Sequence, residues 1–297
     1  MKPELLLEKM RAGAPKRIAV AAAHDDAVLK AVTAAYKAGI IVPILCGDIE
    51  RIDMLARLHN LDISPFEIIE TDSDAQAASI AVSLVKSGRA SLLMKGILQT
   101  ADLLRAVLDK ENGLRTGGIL SHTAVVYSPD RDRTWFLTDG AMVIYPDLAT
   151  KRQLIDNAVK AVKRLGVETP NVAALAAVEL VNPDMPATVD AALLTVMNRR
   201  GQISGCVVDG PLAMDLALSE EAARHKNTES PVAGKADILL FPNIEAANAA
   251  AKALTGIGGC VMGGVVMGAT APIVLNSRSD PDDAKLYSIA IACSVSD

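Results

Sequence analysis

Short apolar runs alternate with stretches of helical periodicity along nearly the whole chain, and that alternation leaves few folds open. The strand-like runs are Arg17–Ala23, Ile40–Cys46, Phe66–Thr71, Ser91–Lys95, Asn171–Val178, Cys206–Asp209, Ala236–Phe241 and Pro272–Leu275. Helical stretches fall between them at Asp25–Lys37, Asp74–Ser87, Thr100–Lys110, Lys151–Leu165, Ala187–Arg199 and Ile244–Leu254. Strand followed by helix, repeated, builds βαβ units and a mostly parallel sheet. One pair breaks the rhythm: Thr123–Tyr127 and Thr134–Thr138, joined by SPDRDR, read as an antiparallel hairpin. It marks a domain junction near Asp139–Pro146. The core must be aliphatic, because 51% of residues are hydrophobic and only 3% aromatic. That profile suits helices packed on a buried parallel sheet, and 297 residues are enough for two such domains.

Charge and cysteine usage exclude several classes of function. A net charge of −5, with scattered basic residues and the lone Trp135, argues against binding nucleic acid or an acidic membrane. Cys46, Cys206, Cys260 and Cys293 form no CxxC pair and no Cys/His ligand spacing. They read as reduced core residues of a cytoplasmic protein, with no metal site. The N-terminal MKPELLLEKMRAGAPKR has acidic residues and too short an apolar block for a signal peptide. Between Lys252 and Arg278 the chain carries no charge and holds two GxxxG spacings, Gly259 to Gly263 and Gly264 to Gly268. A membrane span would read this way, but the glycines and Pro272 make a poor lipid-facing helix, and close packing of a buried helix and strand explains the run better.

The chemistry concentrates at two strand-to-helix turns. In APIVLNSRSDPDDAKLYSIAIA an apolar run stops at Asn276-Ser277-Arg278, and a helix pattern follows with Leu286, Ile289, Ala290 and Cys293 on one face. Asp280 before Pro281 predicts an N-cap with proline at the first helical position. A hydroxyl beside a guanidinium at a strand's carboxyl end suits an oxyanion or a phosphoryl group. An ordinary turn with a solvated Arg278 is the competing account. In MKGILQTADLLRAVL, Lys95 ends a strand and Gln99 or Thr100 opens a helix. Arg105 lies about one and a half turns along that helix, as a cleft residue or as a solvated surface arginine. Asp139 and Asp209 each end a strand before turn residues and are equally two-sided. The histidines at 24, 59, 122 and 225 show no metal spacing, and the standard dinucleotide, P-loop and hydrolase fingerprints are absent.

From about Ser91 to the C-terminus the ordered segments MKGILQTADLLRAVL, GLRTGGILSH, FLTDGAM, RGQISGCVVDGPLAMDLALSEEA, SPVAGKADILLFPNIEAAN and APIVLNSRSDPDDAKLYSIAIA resemble the phosphate acetyl/butyryltransferases. The forms MKGxxxTADLLRAVL and VVDGPLAMDLALS are closer to the butyryl branch. The resemblance implies a two-domain, isocitrate/isopropylmalate dehydrogenase-like α/β fold whose C-terminal helix returns to the first domain. That expectation puts residues 1–140 with 266–297 in one domain and 141–265 in the other, with the site in the cleft between them. It also implies acyl exchange between coenzyme A and phosphate, with acyl-CoA, inorganic phosphate and acyl phosphate as partners, a homo-oligomer, and no metal or redox cofactor. By the same resemblance Ser277 and Arg278 are catalytic, Thr100 and Arg105 are phosphate-side contacts, and Lys95 assists from the same strand end.

One position departs from the pattern. The acetyl branch has a catalytic aspartate seven residues beyond the serine, where this chain has Ala284. Asp280, Asp282 and Asp283 are the neighbouring candidates for the base. A non-catalytic protein that binds CoA esters is the rival reading, opposed by the presence of Ser277, Arg278 and Arg105.

Overall fold

A computed structural model describes residues 1–277 and 280–296. The chain begins α1 (Pro3–Arg11), β1 (Lys16–Ala21), α2 (Asp26–Lys37), β2 (Ile41–Gly47), α3 (Ile49–Leu58), β3 (Glu67–Glu70), α4 (Asp74–Lys86), β4 (Leu92–Lys95) and α5 (Thr100–Val107). It continues with β5 (Ser121–Ser128), β6 (Arg133–Thr138), α6 (Leu148–Arg164), β7 (Asn171–Leu175), α7 (Pro186–Arg199) and β8 (Val207–Leu212). Next come α8 (Met214–Leu218), α9 (Glu220–His225), β9 (Ile238–Leu240) and α10 (Ile244–Gly256), and the chain closes with β10 (Val261–Met267), β11 (Ile273–Val274) and α11 (Asp282–Val295). Among the described residues no helix is long and apolar enough to cross a membrane.

Two compact units result, residues 1–118 with 262–297 and residues 119–261. In the first, strands run in the order β3-β2-β1-β4-β11-β10, parallel except for the antiparallel β10–β11 pair. In the second the order is β5-β6-β9-β7-β8. Only the β5–β6 hairpin is antiparallel there. Sequence rhythm sets that hairpin before the domain junction, yet it belongs to the second unit. The reason is pairing: Phe136, Leu137 and Thr138 of β6 align in parallel with Ile238, Leu239 and Leu240 of β9.

Helix starts follow local chemistry. Asp25, Asp48, Ser73, Asp147 and Asn243 each accept a backbone N–H from the first turn of the helix that follows, which satisfies one of its orphan donors. The uncharged glycine-rich run behaves differently from its helix-like GxxxG spacing. It forms strand β10, and the glycines serve the approach of α11 across its face. A Cβ added to Gly263 would lie 2.8 Å from Ile291 Cδ1, 2.9 Å from Tyr287 Cδ1 and 3.0 Å from the Ser288 backbone nitrogen. Both large neighbours are wholly buried, so they have nowhere to retreat. Gly263→Ala is therefore expected to destabilise the protein by about 1–3 kcal/mol through overpacking, read as a lowered denaturation midpoint with unchanged slope.

Candidate active site

The site is built where the first unit's sheet reverses its direction of growth. From β1 the chain adds β2 and then β3 on one side, and β4 starts the other side, so the carboxyl ends of β1 and β4 flank a topological switch point. Gly96 is what lets these ends close. Its N–H donates to Ala21 O at 2.8 Å, and a Cβ there would fall 2.0 Å from Ala22 O, so no other residue fits. Just before it, Lys95 is 8% exposed, and its ammonium donates to Gly96 O at 2.9 Å and Leu98 O at 3.1 Å. The charge is held in a cage of carbonyls, which folds the turn leading into α5.

Parallel pairing then brings the second turn alongside the first. Ile273 aligns with Leu93 and Val274 with Met94, so the residues after β11 emerge beside Lys95 and the start of α5. Ser277 is exposed in this position, and Thr100 is half-buried as the first residue of α5. Neither α5 nor α11 receives a side-chain cap at its N-terminus, a feature shared with α1, α7 and α8. Gln99 is the N-cap of α5 without a side-chain bond, and Thr100 does not cap. α5 starts shortly after the carboxyl end of β4, the usual polarity for holding an anion.

Arg105 lies about 7–8 Å further along α5 from Thr100, by the rise of an α-helix. Its side chain is 74% exposed and pairs with Asp102 at 2.8 Å, so at rest it faces its own helix. An exposed i,i+3 pair of this kind is worth about 1 kcal/mol at most, and it yields readily to a better anion. Arg278 lies outside the described residues.

The three candidate bases separate by environment. Asp280 does not cap α11; Pro281 is the N-cap, and no side chain bonds the first turn. Instead the Asp280 carboxylate turns back. Its Oδ2 accepts Ser277 N–H at 2.9 Å and Asn276 Nδ2 at 3.3 Å, which commits it to shaping the turn. Asp282 and Asp283 are exposed on the first turn of α11, and Asp283 Oδ1 accepts its neighbour Ala284 N–H at 2.9 Å. Ala284 is buried. Sequence reading missed three residues here. Asn276 bridges Asp280 and Ser288, Ser288 is a hydroxyl on a helix otherwise packed with apolar groups, and buried Lys285 donates to the Asp280 carbonyl. Their signal was weak: polar side chains at buried positions of a helix start resemble ordinary capping groups.

Elsewhere, Asp139 acts as a turn former. It is buried, and its carboxylate accepts the backbone N–H groups of His122, Ala141 and Met142 at 2.8–2.9 Å. Among the described residues no group of three or more His, Cys, Asp or Glu side chains could hold a metal ion.

With that geometry in place, the chain matches the family described as phosphate acetyl/butaryl transferase over residues 3–78 and 72–293. It belongs to that family. The phosphate butyryltransferase of Clostridium acetobutylicum is 48% identical over 290 residues, 98% of this chain and 96% of its own length. The phosphate acetyltransferase of Thermotoga maritima is 42% identical, over 96% of this chain and 97% of its own. A crystal structure of a branched-chain phosphotransacylase from Enterococcus faecalis superposes with a TM-score of 0.85 at 36% identity, covering 94% of this chain and 99% of that one. The family fold is thus the mostly parallel, dehydrogenase-like α/β architecture implied by the sequence.

Three of the four cysteines are buried. Burial pushes the Cys46 and Cys293 thiols up to about 12 and that of Cys206 to about 11. Cys260 departs from the core expectation and is partly exposed. A thiol with a pKa near 12 is ionised to roughly one part in ten thousand at pH 8, and only the thiolate reacts. Labelling of the folded protein at pH 8 is expected to modify Cys260 first and to reach the other three only after denaturation. Rapid labelling of Cys46 or Cys293 in the native protein would contradict it.

Proposed function

We propose that the protein exchanges an acyl group between coenzyme A and inorganic phosphate, with butyryl-CoA as the preferred ester. The observation that supports this reading is the parallel β4–β11 pairing, which brings the carboxyl ends of the two strands that precede Ser277 and Thr100 side by side in a chain of this family. In the direction of thioester formation, the CoA sulfur attacks the acyl phosphate carbonyl carbon. The S–C bond forms, the C–O bond to phosphorus breaks, and phosphate leaves with the electron pair. The thiol proton passes to a base. Ser277 and Arg278 act by hydrogen bonding and charge on the thiolate and the developing oxyanion. Thr100, Arg105 and Lys95 serve the phosphate side, with Arg105 exchanging Asp102 for the phosphoryl oxygens.

Asp282 and Asp283 are the groups left to take the proton, because Asp280 is engaged with the turn backbone. Serine is not assigned as a covalent nucleophile, since direct transfer needs no acyl-enzyme. The reaction as written calls for no metal and no redox cofactor, and coenzyme A is a substrate. On this reading the protein acts in the cytoplasm as a homo-oligomer, on small anionic substrates. The 42% identity to an acetyltransferase over nearly the same length supports acetyl-CoA as the second choice.

Phosphate-dependent release of CoA from butyryl-CoA, followed with a thiol reagent in the presence of chelator, tests the activity. Loss of turnover with chelator and its return with a divalent ion would overturn the metal-free reading. A higher kcat/KM for acetyl-CoA would favour the second one. The preference should be graded, because one methylene in an apolar pocket is worth about 1–3 kcal/mol.

Arg278→Ala is expected to lower kcat on the order of a hundredfold, with a smaller effect on acyl-CoA affinity. Arg105→Ala should raise KM for phosphate and spare acyl-CoA, and Arg105→Lys should recover only part of the loss because bidentate geometry is gone. Unchanged phosphate kinetics in the alanine variant would make Arg105 a surface residue. Of Asp282→Asn and Asp283→Asn, one should move the acidic limb of the pH–rate profile.

A further inference from the structure

We propose that Asn276, anchored by the buried hydroxyl of Ser288, is the positioning residue that fixes the pose of Ser277. The inference rests on the acyl-transfer reading above. Ser288 is wholly buried on α11, and its hydroxyl is saturated. It donates to Ala284 O at 2.9 Å and accepts Gly264 N–H at 3.0 Å and Asn276 Nδ2 at 3.0 Å. A hydroxyl has one proton to give and two lone pairs to fill. Since its proton goes to a carbonyl, the groups facing the lone pairs must be donors. This orients the Asn276 amide with its NH2 toward Ser288.

The second N–H of that amide points to Asp280 Oδ2 at 3.3 Å, and the same oxygen accepts Ser277 N–H at 2.9 Å. A carboxylate oxygen can only accept, so this contact selects the same amide orientation. The links therefore run from the β10 backbone at Gly264 through Ser288, Asn276 and Asp280 to the backbone of Ser277. All of them lie within the first unit.

The amide oxygen shows why an asparagine stands here. Asn276 Oδ1 is closed off from solvent and has no hydrogen-bond partner among the described residues. A buried acceptor without a partner contributes nothing to stability, so the contribution of this amide comes from its donors. The two N–H donors are what the position uses. They tie the turn to a strand and a helix at once. A shift of about 1 Å in a reacting group can cost around a hundredfold in rate without touching binding.

Single variants Asn276→Ala and Ser288→Ala, and the double variant, would be assayed for phosphate-dependent CoA release, with rates normalised to folded protein by near-UV circular dichroism. The expected result is a fall in kcat of about ten- to a hundredfold for Asn276→Ala, with KM for acyl-CoA and phosphate within about threefold of wild type. The double variant should be no slower than the slower single variant, because both remove the same link. Unchanged kcat per folded site in Asn276→Ala would overturn the proposal, and so would effects that multiply in the double variant. Asn276 is half-buried, so Asn276→Ala tests the proposal on its own if Ser288→Ala does not fold. A wild-type protein that releases no CoA would overturn the acyl-transfer reading and this proposal with it. An active wild type with an unaffected Asn276→Ala would sink the positioning role alone.

Discussion

The parallel pairing of β4 with β11 is the constraint on which the candidate site depends. β11 is only two residues long, and by itself it could not hold a register. Its place is fixed from three sides. Leu93 N–H reaches back to Pro272 O at 3.2 Å, Val266 of β10 aligns with Ile273 from the other edge, and α11 covers the pair. The glycine at 263 matters for this reason. Without a side chain there, α11 comes close enough for Ser288 to bond the β10 backbone, and that contact holds the turn after β11.

Burial of charge follows a common pattern. An ammonium removed from water needs acceptors at once, and the protein supplies them from backbone carbonyls or a single carboxylate. Lys95 uses the carbonyls of Gly96 and Leu98, and Lys285 uses that of Asp280. In the second unit, Lys151 and Asp190 form a contact of 2.6 Å beside the carboxyl ends of β7 and β9. Removing either partner alone would leave an uncompensated buried charge, a change that typically costs several kcal/mol. In the first unit two such cations lie at the turns that carry Ser277 and Thr100, so charge burial and site construction coincide.

Asp280 illustrates how geometry reassigns chemistry. By sequence it is a helix cap or a base, as its neighbours are. In the structure its carboxylate accepts two N–H groups of the preceding turn and so holds that turn in shape. Asp282 and Asp283 on the first turn of α11 stay exposed, whereas burial pushes the thiols of Cys46, Cys206 and Cys293 up to about 11–12. Arg105 is a different case, an exposed cation paired with Asp102 on its own helix.

The sequence by itself determined the element types and the parallel α/β class, because alternating period-two and period-3.6 patterns are local properties of a chain. The hairpin strands within Ser121–Thr138, the helices that follow Asp25 and Asn243, and the strand-to-helix turns at Lys95 and Ser277 were legible for that reason. What tertiary structure decided was everything that depends on partners distant in the chain. It made the glycine-rich run a strand, since only contact with α11 distinguishes a packed strand from a packed helix there. It assigned the hairpin to the second unit through pairing with β9, and it turned Asp280 toward Ser277 instead of toward α11. Asn276 and Ser288 became visible only when β10, β11 and α11 were assembled, because a hydrogen bond between distant segments leaves no periodic trace in sequence.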